Sequence, residues 1–380
     1  MKIAFIGQKG IPAKFGGVER HVEELASEMV KRGHQVFVYA RNNYTPKDLN
    51  DYKGINLIHL PSIGTKNLDA ISHTLLASLH ALKSDYDVIH FQAIGPSMLI
   101  GFLKILKRKT LIISTFHCQD YYHKKWGLLA RLALRFGEWS CCRLPDRTIV
   151  VSDSLNKYSR KKYSIKPKLI YNGTRIKDDF DFKILQRWNL EPQKYAVFVG
   201  RLIRHKGAHI LAEAFTQLRK EGEIPSDFKL AIVGDGFYTD DYVKELKDAF
   251  SENEKIIFTG NLEGLELRSV FAGAYVFVQP SEAEGLSITL LEAMAYGVPV
   301  LASDIKENAD VIKDMGFIFK TNDVSDLKEK LKKIFVCGVD VLAQKTATAK
   351  KEIKNKYNWE GIGKKTLNLY QREIKVKNRG

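Results

Sequence analysis

Short apolar runs of strand length alternate with amphipathic runs of helical period along nearly the whole chain, and this alternation restricts the fold more than any other feature. The runs at residues 3–6, 35–40 and 88–91 are typical of buried strands, and the segment after Val18 repeats apolar residues on one helical face. Strand–helix alternation of this kind predicts parallel, doubly wound sheets with helices on both faces. The chain is therefore predicted to belong to the α/β class.

A polar, weakly periodic stretch at residues 175–193 has the composition of a linker, and the alternation restarts after it with a strand at 195–199. We therefore predict two Rossmann-like domains, residues 1–185 and 186–358, followed by a C-terminal segment, residues 359–380, that contains a helix. At 380 residues the chain is long enough for two cores. Ligands of open α/β sheets bind outside the carboxyl ends of the strands, so two facing halves imply a cleft between them.

The positive charge of the chain lies almost entirely in its first half. Residues 1–185 carry 30 basic and 16 acidic residues, whereas residues 186–380 carry 30 and 28. A basic face attracts anionic lipid, nucleic acid or a phosphorylated substrate, and a general lysine bias is the alternative. The four cysteines form no CxxC pair, which indicates neither a disulfide framework nor a zinc site. Without a signal peptide pattern or a spanning apolar stretch, the expected location is the cytoplasm.

A glycine-rich loop follows the first predicted strand. It contains GQKG at residues 7–10 and FGGV at residues 15–18, and a helix begins at its end. Gly16 and Gly17 would let a phosphate approach the N–H groups of that helix closely. The spacing is not GxGxxG, so a nicotinamide fingerprint is a poor match. A glycine-rich connection without a ligand is the alternative.

A second loop, GRLIRHKG at residues 200–207, also follows a buried strand and opens a helix. Arg201 offers a bidentate guanidinium and Lys206 a compact charge, so both suit a diphosphate at the strand end. The alternative for this segment alone is a solvated basic turn.

A third segment, SEAEGLSITLLEAM, follows another strand and runs into a helix predicted at residues 286–296. Glu284 lies just before this predicted helix and Glu292 two turns inside it, and their separation by eight positions keeps the two carboxylates roughly on one face. Carboxylates can hold sugar and ribose hydroxyls through charge-assisted hydrogen bonds. The helix start at Gly285, Leu286 and Ser287 offers N–H donors to a phosphate, and an ordinary capped helix is the alternative.

Together these segments resemble family 4 glycosyltransferases. Glu284 and Glu292 resemble the ends of the family's E-x7-E signature, and GRLIRHKG resembles its Arg/Lys phosphate motif. The glycine loop with its helix, the Asn172-Gly173 turn and the loop at residues 234–236 (GDG) also resemble family features in the same order. The GQKGIPAKFGGVE sequence resembles, more narrowly, bacterial enzymes of surface-polysaccharide assembly, which include rhamnosyltransferases.

The resemblance implies a GT-B fold in which the N-terminal domain binds the acceptor and the C-terminal domain binds a nucleotide-diphosphate sugar. It also implies that the last helix returns to the first domain, that no metal or other cofactor is needed, and that transfer retains the anomeric configuration. Arg201 and Lys206 would neutralise the leaving diphosphate. Glu284 would hold the donor sugar and Glu292 the ribose, while Gly16 and Gly17 would leave room for diphosphate and acceptor. The expected acceptor is lipid-linked or a polysaccharide.

Two further candidate site residues are predicted from their positions in the sequence. His117 comes directly after a strand and resembles the family's histidine near the donor sugar, although a lone histidine is more often structural. Asp120 is a weaker candidate for an acceptor-site carboxylate. The sequence Asp179-Phe180-Asp181 has the DxD form of metal-dependent glycosyltransferases, but it lies in the predicted linker. We interpret it as solvated.

Residues 101–177 carry 18 basic and 4 acidic residues, and the segment around 121–136 interleaves basic with large apolar side chains. This pattern resembles a surface that contacts an anionic membrane, which would make the protein peripheral on the inner face of the membrane. A core-packing helix with a basic polar side is the alternative. For the whole chain, two other functions stay open: a nucleotide-sugar epimerase of similar architecture, and a basic nucleic-acid binder that is not an enzyme. No nucleic-acid recognition module is visible, so we expect no nucleic acid as a partner.

Overall fold

The computed structural model describes residues 1–65, 68–122, 127–177, 179–236 and 239–379. The chain forms two compact units. Unit 1 comprises Met1–Gly173 together with the C-terminal segment that begins at Trp359, and unit 2 comprises Thr174–Asn358. Each unit is built on one sheet whose neighbouring strands are parallel, apart from a short antiparallel edge strand in unit 1.

The sheet of unit 1 has eight strands in the spatial order β3-β4-β2-β1-β5-β6-β7-β8. Its order reverses between β1 and β5, and in such sheets the ligand site lies at this point, outside the carboxyl ends of the strands. The bounds of the strands are β1 (Lys2–Ile6), β2 (Gln35–Arg41), β3 (Asp51–Tyr52), β4 (Ile55–Leu60), β5 (Val88–Gln92), β6 (Leu111–Phe116), β7 (Arg147–Val150) and β8 (Lys168–Leu169).

The helices of unit 1 connect these strands and cover the sheet. Strands β1, β5 and β6 are almost fully buried because helices cover the sheet, which explains their continuous apolar runs. The connecting helices are α1 (Gly17–Val30), α2 (Asp69–Leu82), α3 (Ile100–Leu106), α4 (Leu128–Arg143) and α5 (Asp153–Tyr163).

The sheet of unit 2 has six parallel strands in the order β11-β10-β9-β12-β13-β14, which reverses between β9 and β12. One large apolar core fills this unit and includes Phe198, Phe215 and Phe228. The strands are β9 (Tyr195–Val199), β10 (Lys229–Val233), β11 (Ile256–Gly260), β12 (Val276–Gln279), β13 (Val300–Ser303) and β14 (Phe317–Phe319). The helices are α6 (Ala208–Lys220), α7 (Asp240–Ala249), α8 (Gly264–Ala272), α9 (Ile288–Tyr296), α10 (Lys306–Ile312), α11 (Val324–Val336) and α12 (Val339–Lys356).

The last helix, α13 (Trp359–Lys377), belongs to unit 1 and packs against α1. Its Tyr370 hydroxyl lies 2.6 Å from Nδ1 of His90 on β5, and Arg147 of β7 donates to Glu373 at 2.9 Å. The predicted C-terminal helix therefore exists and is held by buried polar contacts as well as by apolar packing.

The stretch at residues 175–193 is not a free linker. Residues Phe182–Trp188 form a 3-10 helix that packs against α8, and Leu185 is fully buried. Arg268 of α8 also donates to the Asp179 carboxylate at 2.7 Å. Because these contacts lie within unit 2, the compact unit begins at Thr174, ahead of the boundary suggested by the sequence. None of the helices in the described ranges is long and apolar enough to cross a membrane.

Candidate functional site

Three strand-end loops meet at the point of unit 2 where the strand order reverses. The loop after β9 carries Gly207, whose φ is +74° and whose Cβ, if it had one, would lie 2.1 Å from the carbonyl oxygen of Pro280. The loop after β10 carries Gly234, where a Cβ would lie 1.9 Å from the Gly200 carbonyl oxygen. Glycine at these two positions lets the three backbones touch. The loops that follow β9, β10 and β12 therefore form one surface at the carboxyl edge of the sheet.

The structure brings Lys206 and Glu284 into direct contact on this surface. Lys206 Nζ lies 2.5 Å from Glu284 Oε1, and the two side chains are 21% and 9% exposed. The Glu282 N–H donates to the His205 carbonyl at 2.8 Å and ties the two loops together beside this ion pair. The sequence predicted both residues as site residues but did not predict that they pair.

Arg201 lies in the same loop and is half-buried. In the ranges that the structure describes, its guanidinium makes no hydrogen bond or ion pair. A half-buried guanidinium without a partner is available to bind an anion, because its charge is only partly solvated.

Helix α9 starts two residues later than predicted, at Ile288, and Ser287 is its N-cap. The Ser287 hydroxyl oxygen accepts from the Leu290 N–H at 3.3 Å. Glu284 lies in the loop before the helix and Glu292 lies within it, as the sequence predicted. Gly285 and Leu286 are buried in the segment that leads into the helix, and Glu292 is half-buried.

A buried polar network that the sequence did not indicate holds this segment in place. Ser287 donates to Gln279 at 2.6 Å, and Gln279 donates to Asn308 at 2.8 Å. Asn308 in turn donates to Ser303, whose hydroxyl donates to the Ser281 carbonyl at 2.5 Å. Because every one of these groups is buried, the network fixes the loop between β12 and α9 firmly.

In unit 1 the glycine loop is held by carboxylates of α1. Glu19 accepts from the Lys9 N–H at 2.9 Å and Glu23 from the Ala13 N–H at 2.7 Å. Gly16 has a φ of +103°, and a Cβ there would lie 1.9 Å from Glu19 Oε2. A Cβ on Gly17 would meet no atom within 4 Å. Gly16 is therefore required by the fold, whereas the space beside Gly17, at the start of α1, is open.

His117 lies at the carboxyl end of β6 and is buried. Its Nε2–H donates to the Gln92 side-chain oxygen at 2.8 Å, which leaves Nδ1 as a hydrogen-bond acceptor. Its ring also packs edge-on against His21, whose Nδ1 donates to Asn172 at 2.9 Å. Burial first, then the neighbouring His21 and His90, holds the pKa of His117 well below its usual value. The ring is thus neutral at physiological pH.

Gln92 and His21 are functional candidates that sequence reasoning missed. Gln92 ends β5 beside the glycine loop, since a Cβ on Gly7 would lie 2.6 Å from its carbonyl oxygen. In the described ranges His21 Nε2 and Gln92 Nε2 are buried without a hydrogen-bond partner. The position of Gln92 at the end of a strand could have indicated from the sequence that it is a candidate site residue.

Asp120 is half-buried and accepts a hydrogen bond from the Cys118 thiol at 2.9 Å. The two carboxylates of the DxD-like sequence both have structural partners: Asp179 pairs with Arg268, and Asp181 accepts from the Lys183 N–H at 2.9 Å. In the described part of the chain, no group of three or more His, Cys, Asp or Glu side chains is arranged to hold a metal ion.

Comparison with known proteins identifies the family. The model described as "Glycosyltransferase Family 4" matches residues 15–177, and the model described as "Glycosyl transferases group 1" matches residues 181–357. The sulfoquinovosyl transferase SQD2 of Arabidopsis thaliana is 32% identical over 97% of this chain and 72% of its own length. The chain belongs to glycosyltransferase family 4. The predicted family and the predicted enzyme class are therefore confirmed.

Solved structures agree with this assignment at the level of the fold. The sucrose-phosphate synthase of Thermosynechococcus elongatus superposes on this glycosyltransferase with a TM-score of 0.81 at 21% identity, over 99% of both chains. HepE of Anabaena, solved with UDP-glucose, superposes with a TM-score of 0.79 at 18% identity, over 98% of this chain and all of HepE. The predicted GT-B architecture of two Rossmann-like domains is confirmed.

Proposed function

We propose that this glycosyltransferase takes a sugar from a nucleotide-diphosphate sugar and that unit 2 binds this donor. The observation that carries the proposal is the surface where the strand order of unit 2 reverses, because it gathers Arg201, Lys206 and Glu284. Cations beside a carboxylate suit a ligand that joins a diphosphate to a sugar. HepE, which shares the fold, was solved with UDP-glucose.

Each residue of this surface has a distinct role in the proposal. Arg201 and Lys206 neutralise the diphosphate as it leaves, and the N–H groups that lead into α9 at Gly285, Leu286 and Ser287 add partial positive charge. Lys206 then exchanges its contact with Glu284 for the phosphate, which frees Glu284 to hold the sugar hydroxyls. Glu292 holds the ribose of the donor.

Unit 1 contributes the acceptor side in this proposal. The open space beside Gly17 admits the acceptor and the diphosphate close to the start of α1. His117, neutral through burial, accepts a hydrogen bond from a donor-sugar hydroxyl at Nδ1, and Asp120 contacts the acceptor. Transfer then proceeds without a metal and with retention, by attack on the face of the sugar that the diphosphate leaves. A phosphate oxygen of the donor takes the acceptor proton.

The proposed acceptor is a lipid-linked glycan or a polysaccharide. The sulfoquinovosyl transferase relative supports sugar transfer as the chemistry of the family. A lipid-linked acceptor brings the enzyme to a membrane surface, so peripheral contact through residues 101–177, with their 18 basic residues, belongs to this proposal.

The donor site is tested by a thermal-shift screen of nucleoside diphosphates and nucleotide sugars with EDTA present. A ligand that binds the folded state raises the melting temperature, so one nucleotide is expected to stabilise the wild type and not the Arg201→Ala/Lys206→Ala variant. Arg204→Ala is the matched control, because Arg204 is in the same loop but pairs with Glu245 at 2.6 Å on the exposed side. No shift with any nucleotide, or a shift that appears only when EDTA is omitted, would contradict the proposal.

A further inference from the structure

Helix α4 has the reverse of the usual amphipathic arrangement. Its buried residues are small or polar, namely Gly137, Glu138, Ser140, Cys141 and Cys142. Leu134 is half-buried, but five other large apolar residues face outward, with exposures of 76% at Leu128, 82% at Leu129, 52% at Leu132, 52% at Phe136 and 42% at Trp139. At about 100° per residue these five positions fall within one arc of about 100°. The alternative of a core-packing helix is therefore excluded for this face.

We call these five residues the α4 stripe. Contiguous exposed apolar surface on a soluble chain marks a site of association, because leaving it in water is unfavourable. Phe136 and Trp139 stack with ring centroids 5.6 Å apart, which gives one end of the stripe a broad aromatic face. The α4 stripe is thus suited to bind an apolar partner.

The charges beside the α4 stripe identify the partner. Arg131 and Arg135 are exposed on α4, and the one acidic residue of the helix, Glu138, is fully buried. An apolar stripe edged by arginines complements the acyl boundary and anionic headgroups of a bilayer. A second copy of the chain would set arginine against arginine with no exposed carboxylate of α4 to pair with them. We propose that α4 lies in the interface of an anionic membrane, with its stripe in the acyl region.

Contacts in unit 1 connect this helix to the predicted acceptor loop. Glu138 accepts from the Tyr158 hydroxyl at 2.7 Å, Tyr158 lies 3.0 Å from the Tyr121 hydroxyl, and Tyr121 accepts from Gln119 at 2.7 Å. Arg135 also lies over the Tyr121 ring at 5.6 Å. A membrane-bound α4 therefore sits next to the loop that carries His117 and Asp120. The link between α4 and a lipid-borne acceptor rests on the proposed function, whereas the binding of α4 to a membrane does not depend on the proposed function.

The test is co-sedimentation of the full chain with vesicles of phosphatidylglycerol and phosphatidylcholine, compared with pure phosphatidylcholine. The wild type is expected to sediment with the anionic vesicles and to be released as salt rises. Leu128→Ser/Leu129→Ser is expected to lower the partition coefficient about tenfold or more. Val339→Ser is the matched control, since Val339 is also 82% exposed but lies in unit 2.

Charge is tested in the same assay with Arg131→Glu/Arg135→Glu, which is expected to reduce the preference for anionic vesicles. Lys351→Glu/Lys354→Glu makes the same change in charge on exposed positions of α12 and is expected to keep it. Wild type that fails to bind anionic vesicles at low salt, or serine variants that bind normally, would overturn the proposal. So would a lipid-free dimer, seen by analytical ultracentrifugation, that the serine variants lose. Nucleotide-induced thermal shifts of the same variants report on the donor site separately.

Discussion

Acidification from pH 7.5 to 5.5 is expected to destabilise unit 1 strongly, because four buried histidines are held neutral there. Burial lowers the pKa of His21 and that of His73 to about 4, and it holds those of His90 and His117 well below their usual value. His90 lies between the Thr115 hydroxyl at 2.6 Å and the Tyr370 hydroxyl at 2.6 Å, two neutral partners that offer a protonated ring no opposite charge.

The direction and the size of this change in the free energy of unfolding follow from proton linkage. In the unfolded chain each imidazole has a pKa near 6.5, so the unfolded state binds more protons than the folded state below that pH. The full stability is therefore present above pH 6.5 and is lost as the pH falls from 6.5 toward 4. At pH 5.5 each histidine removes about 1.4 kcal/mol from the free energy of unfolding, or about 6 kcal/mol for the four. The lowered pKa of Glu23 places the loss of its contribution at lower pH, outside this window.

The assay combines urea unfolding at pH 7.5, 6.5 and 5.5 with NMR titration of the imidazole protons. His21→Gln should reduce the pH dependence by about one proton, since glutamine can still donate to Asn172. His209→Gln, in unit 2, is the control and should leave the pH dependence of unit 1 unchanged. A free energy of unfolding that stays constant over this range, or one of the four imidazoles titrating near pH 6.5, would refute the reasoning.

Three further predictions concern the site. Gly17→Ala should keep the melting temperature because the added Cβ meets no neighbour, but it should lower transferase activity because it fills the space proposed for the ligands. Gly16→Ala should instead lower the free energy of unfolding by about 1–3 kcal/mol, because the φ of +103° is strained for alanine and its Cβ clashes with Glu19. Thermal unfolding and initial rates separate the two effects. Lys206→Met should weaken nucleoside diphosphate binding about tenfold or more, while Glu284→Gln should weaken only the nucleotide sugar, as measured by calorimetry. Gln92→Met should lower activity more than Gln92→Glu, because only glutamate keeps an acceptor for His117 Nε2–H; equal rates for the two variants would exclude this positioning role.

Several parts of the site were predictable because they depend on local backbone geometry. Strand β9 has the bounds that its apolar run predicted. Gly16 and Gly207 were noted in the loops at strand ends, and both have a positive φ that favours glycine. Parallel strands bring their carboxyl ends to one edge, so motifs that follow β9 and β12 had to lie near each other once their order reversed.

Contacts between distant residues were not predictable in the same way. Lys206 and Glu284 are 78 positions apart, and His90 and Tyr370 are 280 apart. The pairing of such side chains depends on the order of strands and on the rotamers that packing selects, neither of which a local pattern contains. The buried hydrogen-bond network of Gln279, Ser287 and Asn308 could not be predicted from the sequence for the same reason.

The sequence by itself determined the α/β class, the alternation of elements and the loops that carry the candidate chemistry, because periodicity and glycine placement are local properties. Only the tertiary structure decided which face of a helix meets the core. In α4 the period of the sequence defines two faces, yet the core accepts the small residues around Gly137, since a Cβ there would lie 2.2 Å from the Ile94 carbonyl oxygen. Because the backbone of α4 packs this closely against Ile94, the small residues face the core and the α4 stripe is exposed to solvent. The exposed stripe is the candidate membrane surface.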